Sequence, residues 1–190
     1  MIKRGCAVFV CGLFLSACLK PLPVVVRGPG DGFAPCGPQL CRDGNLFFGT
    51  VVEKDDQGRV RVSDPYFRGL LSGQSRAFYA SGKIRWTRDY RNGKKDGVHV
   101  GWWENGRKMF EYRFRKDLYD GSVREWYADG KIAKEMHYEY GVESGLQRAW
   151  RENGTLYANY EARNGRLYGI INARLCYSVK EGRGVYTKKR

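Results

Sequence analysis

Residues 97–120 read GVHVGWWENGRKMFEYRFRKDLYD, and the fold follows from this stretch. Residues 98–103 are short and rich in β-formers, Glu104-Asn105-Gly106 follows, and residues 107–115 form a longer alternating run. Asn-Gly between alternating segments is the strongest short-range hairpin signal. In the longer run Lys108, Phe110, Tyr112 and Phe114 share one parity, and Arg107, Met109, Glu111, Arg113 and Arg115 share the other. Period two of this kind marks a strand with one wet face. No window carries apolar residues at i, i+3, i+4 and i+7 over helical length.

The unit recurs along the chain. Gly49, Gly73, Gly97, Gly121, Gly145 and Gly169 keep a constant step of 24 residues. Gly58, Gly82, Gly106, Gly130 and Gly154 keep it nine residues later, and Gly69, Gly93, Gly141 and Gly165 form a third phase with Asp117 in its missing slot. Together these phases take 15 of the 25 glycines, so glycine marks repeated turns here and not general flexibility. A period of this length indicates stacked units, each burying its apolar face only against neighbours. The prediction is an all-β fold in which tandem 24-residue β-hairpin repeats form one elongated antiparallel meander sheet. Residues 49–168 hold five units, hence about ten strands and about 50 Å of sheet at the usual strand spacing. The first unit is atypical, with Lys54 in place of the aromatic and Pro65 in its second strand, where proline marks an edge. Residues 169–190 read as a C-terminal cap: Ser178 takes a turn-glycine slot, and Lys188-Lys189-Arg190 would block pairing of the open edge.

Loop length decides which face carries the remaining aromatics. A two-residue loop would put Trp102 on the charged face. A three-residue loop, with a type I turn and glycine in the left-handed slot, puts it beside Lys108, Phe110 and Tyr112. The second is preferred, because it accounts for the glycine and gathers Phe78, Trp102, Trp126 and Trp150 onto the apolar face. Tyr79, Trp103 and Tyr127 then point the other way, among Lys83, Arg107 and Lys131.

The N-terminus reads as a lipoprotein signal over residues 1–17. Lys3 and Arg4 precede an apolar stretch, residues 6–15, that is too short to span a bilayer and suits a secretory signal. Leu15-Ser16-Ala17-Cys18 resembles the lipobox of bacterial lipoproteins. That resemblance implies cleavage before Cys18, acylation of its thiol, and a membrane partner held through the lipid. Leu19 in place of Asp favours the outer membrane of a Gram-negative envelope. Residues 18–48 read as an anchored tether: residues 20–38 hold five of the six prolines, interleaved with glycines, which suggests an extended spacer. After processing, Cys36, Cys41 and Cys176 remain. A local Cys36–Cys41 disulfide is the simplest pairing in an oxidising compartment, and a bridge from Cys176 to either one stays open.

Loss of Lys3 and Arg4 with the leader lowers the formal charge from +14 to about +12. This excess favours anionic partners, such as acidic glycans, lipid head groups or an acidic protein. Export argues against nucleic acid.

The repeat carries a family likeness. Trp102-Trp103-Glu104-Asn105-Gly106-Arg107, Trp126-Tyr127-Ala128-Asp129-Gly130-Lys131 and Tyr90-Arg91-Asn92-Gly93-Lys94 resemble the MORN-repeat variant of bacteria. The resemblance is good over about residues 73–168 and weaker over 49–72. It implies a β-hairpin array used for interaction with protein or lipid. Proteins of this kind often carry an antitoxin label, which suits a cytoplasmic protein better than an exported one.

Two surfaces could bind. Arg76 with Phe78, Arg124 with Trp126 and Arg148 with Trp150 each place a guanidinium two residues before a ring on one strand face, with Trp102 as the ring of the third unit. Such a ladder could stack on sugars or clamp phosphates and carboxylates. The alternative is that the rings pack the core and the Arg stems shield it. Val100 interrupts the ladder. The other surface is Tyr79, Trp103 and Tyr127 among their basic neighbours, for which the alternative is a solvated face with cross-strand pairs. No catalytic residues, cofactor or metal ligands are expected. His99 and His137 occupy different repeat positions outside any nucleophile motif, Glu104 and Glu152 lie in turns, and the three cysteines lack zinc spacing.

Overall fold

The structure, a computed structural model, describes residues 22–171, 178–180 and 183–185. The leader, Cys18, Cys176 and residues 188–190 lie outside the described residues. The N-terminal strands are β1 (Val24–Val26), β2 (Phe33–Cys36), β3 (Gln39–Arg42) and β4 (Asn45–Leu46). The first two repeats supply β5 (Gly49–Lys54), β6 (Val60–Phe67), β7 (Leu70–Leu71), β8 (Gly73–Phe78), β9 (Ile84–Arg91) and β10 (Lys94–Lys95). The next three supply β11 (Gly97–Trp102), β12 (Lys108–Arg115), β13 (Leu118–Trp126), β14 (Ile132–Glu139), β15 (Val142–Glu143), β16 (Gly145–Trp150) and β17 (Leu156–Arg163). β18 (Arg166–Ile171) continues the meander, and β19 (Ser178–Lys180) and β20 (Arg183–Val185) pair apart from it.

The chain is all-β. From β5 to β18 the long strands follow one another as an antiparallel meander within a 15-stranded sheet that does not close into a barrel. The long hairpins end in three-residue loops. At the third unit the Trp103 amide donates to Arg107 O (2.8 Å), the Gly106 amide donates to Trp103 O (2.8 Å), and Gly106 sits at φ +86°. The return turns are two residues long with both φ positive, as in Asn92-Gly93 at 50° and 78°, the type I′ geometry that matches strand twist.

Register differs from simple alternation at one point in every hairpin. Gly101 pairs with Phe110 but Trp102 pairs with Lys108, so Met109 is an extra residue. The same slip separates Ala77/Phe78, Glu125/Trp126 and Ala149/Trp150 from their partners. The loop length matches the three-residue expectation, yet the slip sends Trp102 to the face opposite Phe110 and Tyr112. Counting by twos across a bulge fails by one, and one residue exchanges the faces. Phe78, Trp102, Trp126 and Trp150 therefore lie with Ile84, Lys108, Ile132 and Leu156 on the charged face.

In repeats two to five the packed face is built from small, apolar or hydrogen-bonded polar residues in first strands and mainly from rings in second strands. Ser75, Ala77, His99, Val123, Gln147 and Ala149 are buried. The Phe110 ring lies on Gly101, where a Cβ would fall 2.2 Å from Cε1. Phe114 stacks at 4.6 Å on Tyr119 and reaches His99 at 4.6 Å. Laid over small residues, these rings provide the second layer that a single sheet otherwise lacks. Burial, aided by the carboxylates Glu125 and Glu143, raises the phenol pKa of Tyr112 and Tyr160, and both donate to those carboxylates.

Hairpin tips lock successive repeats together. Tyr79 Oη donates to Trp102 O (2.7 Å), Trp103 Nε1 to Trp126 O (3.0 Å) and Tyr127 Oη to Trp150 O (2.8 Å). Asn105 Nδ2 donates to Ala128 O (2.8 Å) and Lys83 Nζ to Glu104 O (2.9 Å). At the opposite edge, the amides of Gly93, Asp117 and Gly141 donate to Leu71 O, Lys95 O and Tyr119 O. Each bond adds about 0.5–1.5 kcal/mol, and tip bonds recur at the three interfaces between repeats two and five.

The proline-rich segment is folded from residue 22 onward and is not an extended spacer. β1 pairs in parallel with β5, and the Thr50 amide donates to Pro23 O. β2, β3 and β4 form a small sheet, with a disulfide joining Cys36 and Cys41 across the β2–β3 hairpin. That sheet docks on the Arg68-Gly69 turn: the Leu40 amide donates to Gly69 O (2.8 Å) and the Gly69 amide to Phe47 O (2.7 Å). Phe47 thus accepts the bond that Leu71, Lys95 and Tyr119 accept in later repeats. Residues 39–48 act as a half-repeat that caps the array, because their backbone both donates to and accepts from the Gly69 turn.

Candidate functional site

The charged face carries two parallel cross-strand rows. One is apolar and follows the hairpin tips: Phe78–Ile84, Trp102–Lys108, Trp126–Ile132 and Trp150–Leu156 are paired neighbours. The four rings are part-buried, and Ile84 and Leu156 are exposed. The second row runs Arg76, Thr87, Val100, Glu111, Arg124, Glu135, Arg148 and Asn159. The structure thus brings all seven proposed binding residues, Arg76, Phe78, Trp102, Arg124, Trp126, Arg148 and Trp150, onto one surface.

Their charges are partly matched within the row. Glu135 holds Arg124 through Oε1 (3.2 Å to Nε) and Arg148 through Oε2 (2.6 Å to a terminal nitrogen). This leaves Arg148 Nε buried without an acceptor among the described groups. Arg76 donates to Gln74 (3.1 Å) and is exposed. Lys108 pairs with Glu111 (2.5 Å) and lies 5.8 Å from the Trp126 ring, while Arg148 lies 5.6 Å from Trp150. Guanidinium, carboxylate and aromatic plane therefore meet in the last two repeats, around Glu135. That set can hydrogen-bond neighbouring hydroxyls, pair with carboxylates, and stack on a ring.

The other proposed surface does not present a free row of rings. Tyr79, Trp103 and Tyr127 spend their polar atoms on the next repeat's backbone, and Lys83, Arg107 and Lys131 donate to turn carbonyls of the next unit. This surface is structural.

Sequence reasoning missed a third set. Ser75, His99, Val123 and Gln147 are equivalent positions, and the polar ones are buried where a kink parts neighbouring strands. His99 Nε2 bonds Asp89 O (2.9 Å), Gln147 Nε2 donates to His137 O (2.8 Å), and Ser75 Oγ donates to Asp64. His99 and Gln147 add a second bond to Asp89 O and His137 O, which also accept from the Asp96 and Ser144 amides, and Ser75 bonds the Asp64 carboxylate. In the fourth unit Leu118–Trp126 form one strand, although its register with β12 still shifts between Tyr112 and Phe114, and the apolar Val123 takes the position. Substitution of this slot by residue type was visible in the sequence, but its meaning needed the kink.

His99 is 2% exposed, and burial lowers its pKa below 6.5, with Arg88 and Lys95 adding to the effect against its bond to Asp89 O. The folded state then binds a proton less readily than the unfolded chain. Its contribution is complete above the unfolded pKa and falls as pH drops below about 6.5 toward the depressed folded value. Gln147 performs the same bonding without titrating. His99→Gln should therefore retain the fold and show a smaller drop in Tm than wild type between about pH 7.5 and pH 5. An equal drop in both proteins would remove His99 as the acid-sensitive group.

A cleft of about 640 Å³ lies between the N-terminal sheet and the return turns, walled by Phe33, Leu40, Tyr66, Leu70 and Leu71. Its charged groups Arg27, Lys94 and Asp117 are exposed at the rim. Among the described residues no cluster of His, Cys, Asp and Glu could hold a metal ion. Compared with known proteins, the chain matches no family model and no curated protein.

Proposed function

We propose that this chain is a lipid-anchored lipoprotein of the bacterial envelope, without catalytic activity, whose repeat sheet serves as a binding and scaffolding module. The observation that carries the reading is the placement of Phe78, Trp102, Trp126 and Trp150 on the charged face, outside the packed layer that Phe110, Tyr112 and Phe114 build. Core packing does not need rings there, so their recurrence points to contact with something outside the chain. The resemblance to MORN-repeat variants and the net charge, +14 for the whole sequence and about +12 without Lys3 and Arg4, support an interaction array for anionic partners. The leader and Cys18 support the anchor.

A pulldown from solubilised envelopes with the full chain tests the module. Partners retained by wild type should be lost from the Arg124→Ala/Trp126→Ala variant. An unchanged set of partners would exclude this face. Palmitate labelling abolished by Cys18→Ala tests the anchor separately.

A further inference from the structure

The rings of the charged face recur at every second strand. Strands lie about 4.8 Å apart, so successive rings stand about 10 Å apart along the sheet. That step is about the length of one disaccharide in a linear polysaccharide. Beside each of the last two rings sits a guanidinium of the adjoining row, Arg124 by Trp126 and Arg148 by Trp150, with Glu135 shared between them.

Resting on the binding-module reading, we infer that this face holds a linear polysaccharide bearing carboxylates, one disaccharide per repeat. A pyranose presents an apolar C–H face that stacks on an indole. Its hydroxyls suit the Glu135 carboxylate, and its carboxylates suit the guanidinium groups and Lys108 Nζ. Lys108 and Arg148 already lie near the rings of Trp126 and Trp150, and their side chains are 51% and 39% exposed. To meet an incoming carboxylate while a sugar takes the ring, Lys108 exchanges its Glu111 partner and Arg148 its Glu135 partner.

Two features favour a polymer chain over an anionic bilayer. Sheets twist by about 20° per strand, so the rings rotate about 40° from one repeat to the next and the four cannot lie on one plane together. A single flexible chain can follow that rotation. Glu111 and Glu135 also stand in the row, where they accept hydrogen bonds from hydroxyls, which a sugar chain supplies along its whole length.

The test uses the full chain carried on phosphatidylcholine vesicles, with oligogalacturonates of defined length as probe. An oligomer long enough to span all four rings should bind at least about tenfold more tightly than a disaccharide, because later contacts are intramolecular. Trp126→Ala should remove most of that gain and Trp126→Phe should keep it, with circular dichroism confirming that both fold. Arg124→Gln should weaken the acidic oligomer while leaving a neutral maltooligosaccharide unaffected. No binding, or equal binding of short and long oligomers, overturns the inference. A Trp126 fluorescence response to phosphatidylglycerol in the vesicles, without one to oligogalacturonate, overturns it in favour of a membrane contact. If oligomers fail but envelope proteins are lost from Trp126→Ala, the binding-module reading survives alone; if neither depends on Trp126, both fall.

Discussion

Phe114→Ala should lower stability by about 3–5 kcal/mol, the usual cost of removing a buried phenylalanine. The side chain is 7% exposed and stands at the middle of the array, against His99 on one side and Tyr119 on the other. Little is available to refill the space: its neighbours are rings already packed edge-on or stacked, and Gly97 lies opposite in the ladder. A loss of that size is a large part of the 5–15 kcal/mol that holds an ordinary domain together. It also falls at a junction. Repeats contact only their neighbours, so weakening the third unit should uncouple the first two from the last two. Denaturant unfolding followed by tryptophan fluorescence and by amide exchange should then lose coincidence. A shift below about 1 kcal/mol with coincident transitions would show that the ring layer is not the main source of cohesion.

Gly69→Val is expected to release the N-terminal cap. Gly69 has φ +72°, a conformation costing an L-residue with a side chain about 1–2 kcal/mol. A Cβ there would also lie 2.5 Å from Leu40 O and 2.9 Å from Leu40 N. Neither atom is the movable end of a side chain, so the backbone must part, and the reciprocal bonds through Leu40 and Phe47 go with it. Limited proteolysis should cut within residues 22–48 while the repeats remain protected. Gly106→Ala is the control. It has φ +86° with open space around its Cβ, so it should cost about 1–2 kcal/mol through conformation alone and leave the cap resistant. Equal protease resistance in Gly69→Val and wild type would mean that the docking is not held through this turn.

The fold was legible because glycine recurs for a local reason. Gly106 closes a hairpin and Gly93 a return turn whatever the rest of the chain does, so spacing alone gave strand number, order and antiparallel sense. The cap escaped notice for a related reason. Gly44 falls 25 residues before Gly69 and not 24, so the turn glycine sits out of phase although Phe47 keeps the step to Leu71. The cap's strands are also short and interrupted by Pro35 and Pro38, which read as spacer until Gly69 and Phe47 offer them partners.

The candidate site was legible by residue type but not by side. Arg124 and Trp126 at i and i+2 share a face by local geometry, and the structure keeps them together. Whether that face is the core or the solvent depends on Met109, Arg85, Ala133 and Tyr157, the extra residues at the register slips. No side chain at those positions announces a bulge. It arises from fitting a tight glycine turn to a twisted pair of long strands, which is a relation between strands.

From its sequence alone this protein was bound to be a stack of hairpins, because turn glycines and period-two strands are properties of a few adjacent residues. The assignment of Phe110, Tyr112 and Phe114 to the packed layer, and of Trp102, Trp126 and Trp150 to the open face, was made only in three dimensions. One inserted residue inverts every side chain beyond it, and only pairing across strands records where that residue is placed.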